Sequence, residues 1–216
     1  MSFGSHPDFY VLLGPDYAGK STMLTALAGA GWQCVSYDDN FVPADCPLIL
    51  ELRNTFVTRA LRHVGTSYSP DFVLTLLQTS VVYLRDQILR ADPDRPVIVD
   101  SYYYKILAKC LLKGLVNEQI FGWWRQFPQP RRVIYLDVSP ENAWRRSGEG
   151  TRLNLFEHYG DNPNWAGFRR FQSDLAERMT AEVAGIPLTV VDDAEDQLGR
   201  AVRAIARSDG VTAVAG

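Results

Sequence analysis

The sequence predicts an α/β fold: a three-layer sandwich in which helices cover both faces of a five-stranded parallel sheet. Short apolar runs alternate with stretches of helical periodicity along the chain, which is typical of this class. Two of the runs, 96–100 and 132–137, are continuously apolar and end in an acid, as strands buried on both faces do. The predicted strands are 9–13, 32–37, 96–100, 132–137 and 187–191.

The helices are predicted from periodicity and from their starting residues. Apolar spacing indicates a helix over 20–30. Further helices are expected near Pro47, from Ser69-Pro70-Asp71 to about Arg90, and from Ser139-Pro140-Glu141. In the last two, serine is a capping residue and proline occupies the first helical position.

Composition limits the classes of protein that this chain can represent. With 216 residues, 46% hydrophobic and 22% charged, it has the size of one globular domain. A net charge of -3 gives no general attraction to nucleic acid or anionic membrane. No apolar run approaches about 18 residues and no secretory signal begins the chain, so we expect a cytoplasmic protein. Its three separated cysteines indicate neither a disulfide framework nor a zinc site.

One domain is expected over 9–207, with disordered ends at 1–8 and 208–216. Within it, the segment of about 147–164 is rich in Gly, Asn, Arg and Glu and interrupts the helical periodicity. We therefore predict a mobile lid there.

The strongest motif is G-P-D-Y-A-G-K-S-T at residues 14–22, between the first strand and the first helix. It matches the phosphate-binding P-loop, in which backbone N–H groups and a helix N-terminus surround a polyphosphate. Lys20 is expected at the β- and γ-phosphates and Ser21 on Mg²⁺, so ATP and Mg²⁺ are the predicted cofactors. The residues predicted to contact the nucleotide in this loop are Gly14, Asp16, Tyr17, Ala18, Gly19, Lys20, Ser21 and Thr22.

The chain lacks the N-K-x-D and D-x-x-G motifs of GTPases, which favours a kinase for a small molecule. Asp100 ends a buried strand and is expected to bind Mg²⁺ through water. Arg145, Arg146 and Arg152 are the candidates to close on the transferred phosphate; Arg152 is favoured, and Arg145 is also expected to contact ATP.

The loop, together with V-I-V-D-S-Y and Y-L-D-V-S-P-E-N-A-W-R-R, resembles the corresponding segments of thymidylate kinases, over most of 9–191. The resemblance implies that Asp16 lies near the acceptor sugar and that Glu157 in L-F-E-H-Y binds a sugar hydroxyl. Tyr102, after the strand that ends in Asp100, is a candidate for the wall of the acceptor pocket.

A second stretch, L-Q-T-S-V-V-Y-L-R, is similar to deoxynucleoside kinases. That similarity implies that Gln78 binds the base, since a carboxamide both donates and accepts, and that Arg85 supports it. It also implies a carboxylate base after the second strand, which is Asp38 here, with Asp39 as the alternative.

Two departures concern the acceptor. Ser101 and Val82 stand where thymidylate kinases carry arginines that bind the acceptor's phosphate. An acceptor without a phosphate is therefore expected. Lys105, one helical turn from Ser101, is a candidate to replace the missing positive charge.

The leading hypothesis is an ATP- and Mg²⁺-dependent kinase acting on a hydroxyl of a nucleoside-like small molecule. Lys20, Asp38, Asp100 and Arg152 would be its catalytic residues. The alternatives are a thymidylate-type nucleoside monophosphate kinase, a natural-product kinase on the same scaffold, and a nucleotide-binding regulatory module. Neither nucleic acid nor membrane is an expected partner, and a homodimer is possible.

Overall fold

The computed structural model describes residues 7–193 and 199–200. Two predictions concern residues outside this part: the disordered ends, of which 1–6 and 208–216 are not described, and the domain end at 207. Five strands form one parallel sheet in the order β2-β3-β1-β4-β5, which confirms the predicted sheet. They are β1 (Phe9–Leu13), β2 (Gln33–Val35), β3 (Val97–Asp100), β4 (Arg132–Asp137) and β5 (Leu188–Asp192).

The helices begin where their capping residues predict. Ser69 accepts a hydrogen bond from the backbone N–H of Phe72, and Ser139 accepts one from that of Asn142. The helices within the described residues are α1 (Lys20–Gly29), α2 (Pro47–Thr55), α3 (Pro70–Arg90), α4 (Tyr102–Leu112), α5 (Glu118–Trp124), α6 (Pro140–Arg146) and α7 (Trp165–Glu182). A π-helical turn, Phe56–Ala60, and a 3₁₀ turn, Leu61–His63, follow α2.

Alternate residues of β1 enter two different cores, because successive side chains of a strand point to opposite faces. Phe9, Val11 and Leu13 pack in the larger core, with apolar residues of α3, α4, α5 and α7. Tyr10 and Leu12 pack in the smaller core with α1 and α6. The sheet is therefore the middle layer of three, as predicted.

The register of the central strands brings two predicted site elements together. Leu12 of β1 lies opposite Asp100 of β3, so this carboxylate stands beside the beginning of the P-loop. Gly14 passes so close to β4 that a Cβ there would lie 2.8 Å from the Leu136 carbonyl oxygen. A side chain would push the loop away from the strand, so this position requires glycine.

The predicted lid, between α6 and α7, consists of turns and bends. Gly150 has φ +90, and a Cβ there would lie 2.5 Å from the Trp144 ring, so the lid is held tightly against the end of α6. Its mobility remains a prediction. Cys34, Cys46 and Cys110 are free, and no helix of the described part is long and apolar enough to cross a membrane.

Candidate active site

A cavity of about 570 Å³ opens at the carboxyl ends of β1 and β3. Open parallel sheets bind their ligands at this edge. The P-loop forms one wall, and α2, α3, α4 and the lid form the others. The residues that line the cavity are Asp16, Tyr17, Ala18, Gly19, Lys20, Ser21, Thr22, Tyr37, Asp38, Leu52, Arg53, Phe56, Leu76, Leu77, Ser80, Asp100, Ser101, Lys105, Ile106, Lys109, Arg146, Arg152, Asn154, Phe156 and Glu157.

The P-loop has the geometry of a phosphate site. Gly19 adopts φ +91 immediately before α1, which turns the chain sharply into the helix. The Lys20 ammonium lies over the loop and donates to the carbonyl oxygens of Gly14 at 3.4 Å and Pro15 at 3.1 Å. The loop therefore combines a helix N-terminus with a fixed cation, the two features that favour polyphosphate binding.

Side-chain oxygen atoms that suit Mg²⁺ as ligands lie close together beside the loop. The Ser21 hydroxyl donates to Asp38 Oδ2 at 3.4 Å. Asp100 accepts hydrogen bonds from Ser36 Oγ at 3.1 Å and from Ser101 Oγ at 2.8 Å. These side chains fit a hard cation that also binds phosphate oxygens and water, which is the usual way for Mg²⁺ to bind in kinases.

The two carboxylates after β2 have different environments. Asp38 lies on the cavity wall, and its backbone N–H donates to Ser36 Oγ, which also donates to Asp100. The Asp39 side chain is 68% exposed and pairs with Arg53 at 3.1 Å. Of the two candidate bases, Asp38 is the one that faces the cavity.

Asp16 is buried and binds two lysines of α4. Lys105 Nζ lies 2.7 Å and Lys109 Nζ 2.9 Å from the same oxygen, Asp16 Oδ1. Burial alone would raise the pKa of Asp16, but Lys105, Lys109 and Lys20 together hold it well below the ordinary value. Burial, assisted by the charge of Lys20, lowers the pKa of Lys105 to about 8 against the opposing effect of Asp16.

Gln172 of α7 holds Asp16 from the other side. Its Oε1 accepts from the Asp16 backbone N–H at 3.0 Å, and its Nε2 donates to Asp16 Oδ2 at 3.2 Å. The same Nε2 donates to the Glu157 carbonyl oxygen at 3.1 Å. One buried carboxamide therefore joins the P-loop, the lid and α7.

The lid contacts the P-loop through Tyr17. Its hydroxyl donates to the Arg152 carbonyl oxygen at 2.8 Å and lies 3.5 Å from Glu157 Oε2. The Arg152 guanidinium lies 5.7 Å from the centre of the Tyr17 ring, and Arg146 Nη1 donates to the Tyr17 carbonyl oxygen at 3.4 Å. Arg152 and Arg146 line the cavity. Arg145 is exposed, bonds to Asn142 and does not line it.

The structure does not bring three predicted acceptor residues to the cavity. Helix α3 presents Leu76, Leu77 and Ser80 there. Gln78 is not on this wall, because two steps of about 100° carry it to the opposite side of the helix from Ser80. The Arg85 guanidinium lies 4.7 Å from the centre of the Phe127 ring and pairs with its neighbour, Asp86. Tyr102 is fully buried, against Phe9 and its two tyrosine neighbours.

Two of the residues that hold Asp16, Lys109 and Gln172, were not predicted from the sequence. Lys109 carried a usable signal, because it follows Lys105 by four positions and therefore shares its helix face. Gln172 carried none, since it is 156 positions from Asp16 and lies in an ordinary amphipathic helix.

Fold and loop together define an α/β protein with a P-loop, and comparison with known proteins specifies the fold further. No protein-family model matches the chain. It is 33% identical to a thymidylate kinase of Caenorhabditis elegans over 82 residues, which are 37% of this chain and 38% of that enzyme. The matched part is thus well under half of the relative's length.

A thymidylate kinase structure from Candida albicans superimposes with a TM-score of 0.63 and 18% identity, covering 95% of this chain and 93% of that one. The chain therefore has the thymidylate kinase fold, and the predicted resemblance to that family is confirmed at the level of the fold.

Proposed function

We propose that this chain is an ATP- and Mg²⁺-dependent kinase that transfers the γ-phosphoryl group of ATP to a hydroxyl group of a nucleoside-like small molecule. One observation carries the proposal: a single cavity is bordered by the P-loop cation Lys20, by Ser21 and by two carboxylates, Asp38 and Asp100. The thymidylate kinase fold supports it.

The proposed roles follow from position. Lys20 and Arg152 would offset the charge of the transferred phosphoryl group, and Ser21 and Asp100 would hold Mg²⁺. Asp38 accepts the proton of the acceptor hydroxyl. Catalysis of this kind consists of positioning and electrostatic stabilisation, so it needs no covalent intermediate.

The acceptor binds at the other end of the cavity. Phe56 and Phe156 meet edge to face there, with ring centres 5.6 Å apart, beside the apolar side chains of Leu76 and Ile106. Such a wall suits a flat ring with an apolar face. Glu157, also on this wall, is placed to accept a hydrogen bond from a sugar hydroxyl.

The second candidate is a thymidylate-type nucleoside monophosphate kinase, which the two comparisons favour. A natural-product kinase on the same scaffold differs from the leading proposal only in the acceptor. Ser101 and Val82, where the family resemblance predicts phosphate-binding arginines, are the reason for ranking the monophosphate kinase second.

The test is ADP release measured over matched nucleosides and nucleoside 5′-monophosphates, with and without Mg²⁺, for the wild type and Lys20→Ala. We expect acceptor-dependent release in the wild type and a loss of about 10³-fold or more in Lys20→Ala at an unchanged melting temperature. ATP binding with no ADP release from any acceptor would instead identify a regulatory module.

A further inference from the structure

Lys105 and Lys109 lie on the cavity face of α4, one helical turn apart. Their side chains are only 8% and 11% exposed, and both contact Asp16 Oδ1. Few lysines are this buried without a partner that carries full negative charge. The balance of charge around this pair therefore indicates what else binds there.

The Asp16 carboxylate is in direct contact with both ammonium groups. Each ammonium has three N–H donors, and each uses one of them on Asp16. Glu157 is a weak second counterion, because its Oε1 lies 3.9 Å from Lys109 Nζ. Burial, and then the charge of Asp16, raise the pKa of Glu157 against the opposing effect of Lys109. The lysine pair therefore shares one close carboxylate, Asp16, and has a second only at 3.9 Å from Lys109.

The ammonium groups of the pair converge on Asp16 of the P-loop, close to the aromatic wall of the cavity. Lys105 is close enough to the P-loop for Lys20 to affect its pKa. Lys109 Nζ lies 5.9 Å from the centre of the Phe156 ring. Both ammonium groups reach the same oxygen of Asp16, so an anion bound by the pair would lie beside Asp16, next to the Phe156 ring.

We propose that Lys105 and Lys109 bind an acidic group of the acceptor, a carboxylate or a phosphate monoester, that is distinct from the hydroxyl that is phosphorylated. This inference rests on the proposed function and names its substrate class. It modifies the expectation of an uncharged acceptor that followed from Ser101 and Val82: α4 supplies positive charge one and two turns beyond Ser101, for an acidic group that is not itself phosphorylated.

The first experiment is calorimetric titration of the Mg·ADP-bound protein with thymidine, thymidine 5′-carboxylic acid and thymidine 5′-monophosphate. Charge-assisted hydrogen bonds are roughly twice as strong as neutral ones. We therefore expect at least one of the two acids to bind about tenfold or more tightly than thymidine. Which acid benefits identifies the carboxylate or the phosphate as the preferred group.

Three variants locate the effect. Lys109→Met keeps the length of the side chain without its charge, and should reduce the preference for the acid to about threefold or less. Lys109→Arg keeps the charge and should retain most of the preference. Lys113→Met is the matched control: its ammonium is one turn further along, donates to the His158 carbonyl oxygen and does not line the cavity. It should keep the wild-type preference.

Equal binding of all three ligands by the wild type, no binding of any of them, or an unchanged preference in Lys109→Met would each overturn the proposal. Conversion of the monophosphate to a diphosphate would also overturn it, because the acidic group would then be the acceptor itself. Failure of the proposed function has a different signature: the binding preference persists, but no hydroxyl compound supports ADP release.

Discussion

Gln172 and Asp16 form a pair of hydrogen bonds through which α7 holds the P-loop. The carboxamide accepts from the Asp16 backbone and donates to its carboxylate, and it is only 2% exposed. Asp16 is thereby fixed on one oxygen by Gln172 and on the other by two lysines. Gln172 is a positioning residue for the site, since it acts through Asp16 and the lid.

Gln172→Glu should move the pH profile of kcat/KM toward acid. The new carboxyl group would face Asp16 Oδ2 as a like charge unless it is protonated, and burial raises its pKa. Because the protonated form is the one that can donate, activity should be about tenfold below the wild type at pH 8 and recover as the pH falls.

The isosteric control is Gln172→Met, which loses the same hydrogen bonds without adding a charge. It should lower kcat/KM at every pH and leave the shape of the profile unchanged. Identical profiles for Gln172→Glu and the wild type would show that Asp16 does not depend on this carboxamide.

Asp38→Asn should lower kcat by about 10²-fold or more with little change in ATP affinity, if Asp38 accepts the proton of the acceptor hydroxyl. Asp39→Asn is the matched control, since Asp39 is exposed and pairs with Arg53. It should stay within about twofold of the wild type, because an exposed ion pair contributes little. Steady-state kinetics at saturating Mg²⁺ distinguish the two, and full rates in both variants would remove Asp38 from the mechanism.

Lys105 should give the enzyme an alkaline limit near pH 8. Burial lowers its pKa to about 8, so the cationic form is present below that pH and is lost above it. The charged groups that face it are Asp16 and Lys20 of the P-loop and Glu157 of the lid, with Lys109 on its own helix. The measurement is kcat/KM for the acceptor from pH 6 to 10, which reports the free enzyme.

Lys105→Arg should abolish the fall of kcat/KM above about pH 8, because a guanidinium stays charged throughout the measured range. An alkaline limb that persists unchanged in Lys105→Arg would assign the titration to another group.

Tyr17→Phe should weaken the contact between the P-loop and the lid. The variant loses the hydrogen bond to the Arg152 carbonyl oxygen, and with it about 0.5 to 1.5 kcal/mol of support for that conformation. We expect a KM for ATP several-fold higher, with kcat largely retained. The comparison is Tyr159→Phe, in the same lid segment, which loses a hydrogen bond to Asp174 of α7 instead of one within the contact between lid and P-loop. Equal effects of the two variants would argue against a specific role for Tyr17.

Local patterns were sufficient to predict the fold. Each strand is a short apolar run, and Ser69 and Ser139 begin their helices because a serine hydroxyl caps the backbone of its own chain segment. The P-loop was equally predictable, since all the residues of its motif lie within nine consecutive positions, 14–22. Such features depend on neighbours in sequence, and that is why pattern and structure agree.

Acceptor residues were harder to predict because their roles depend on helix rotation. The pattern around Gln78 indicated a base-binding helix, and α3 does border the cavity, but with Leu76, Leu77 and Ser80. Each residue of a helix is rotated by about 100° from the one before it, so a shift of two positions decides whether a side chain faces the cavity. Only the packing of the whole helix fixes its rotation about its own axis.

By itself, the sequence determined the parallel α/β sheet, the P-loop and the acidic ends of its strands, because each is encoded by residues close together in the chain. Only the tertiary structure decided that Asp16 is held by Lys105, Lys109 and Gln172, at separations of 89, 93 and 156 positions. Polar groups so far apart in sequence interact only after the sheet and its two helical layers have packed. Burial then strengthens the electrostatic interaction between Asp16 and the two lysines. The chemistry of the acceptor site is therefore a product of packing, whereas the chemistry of the phosphate site is local.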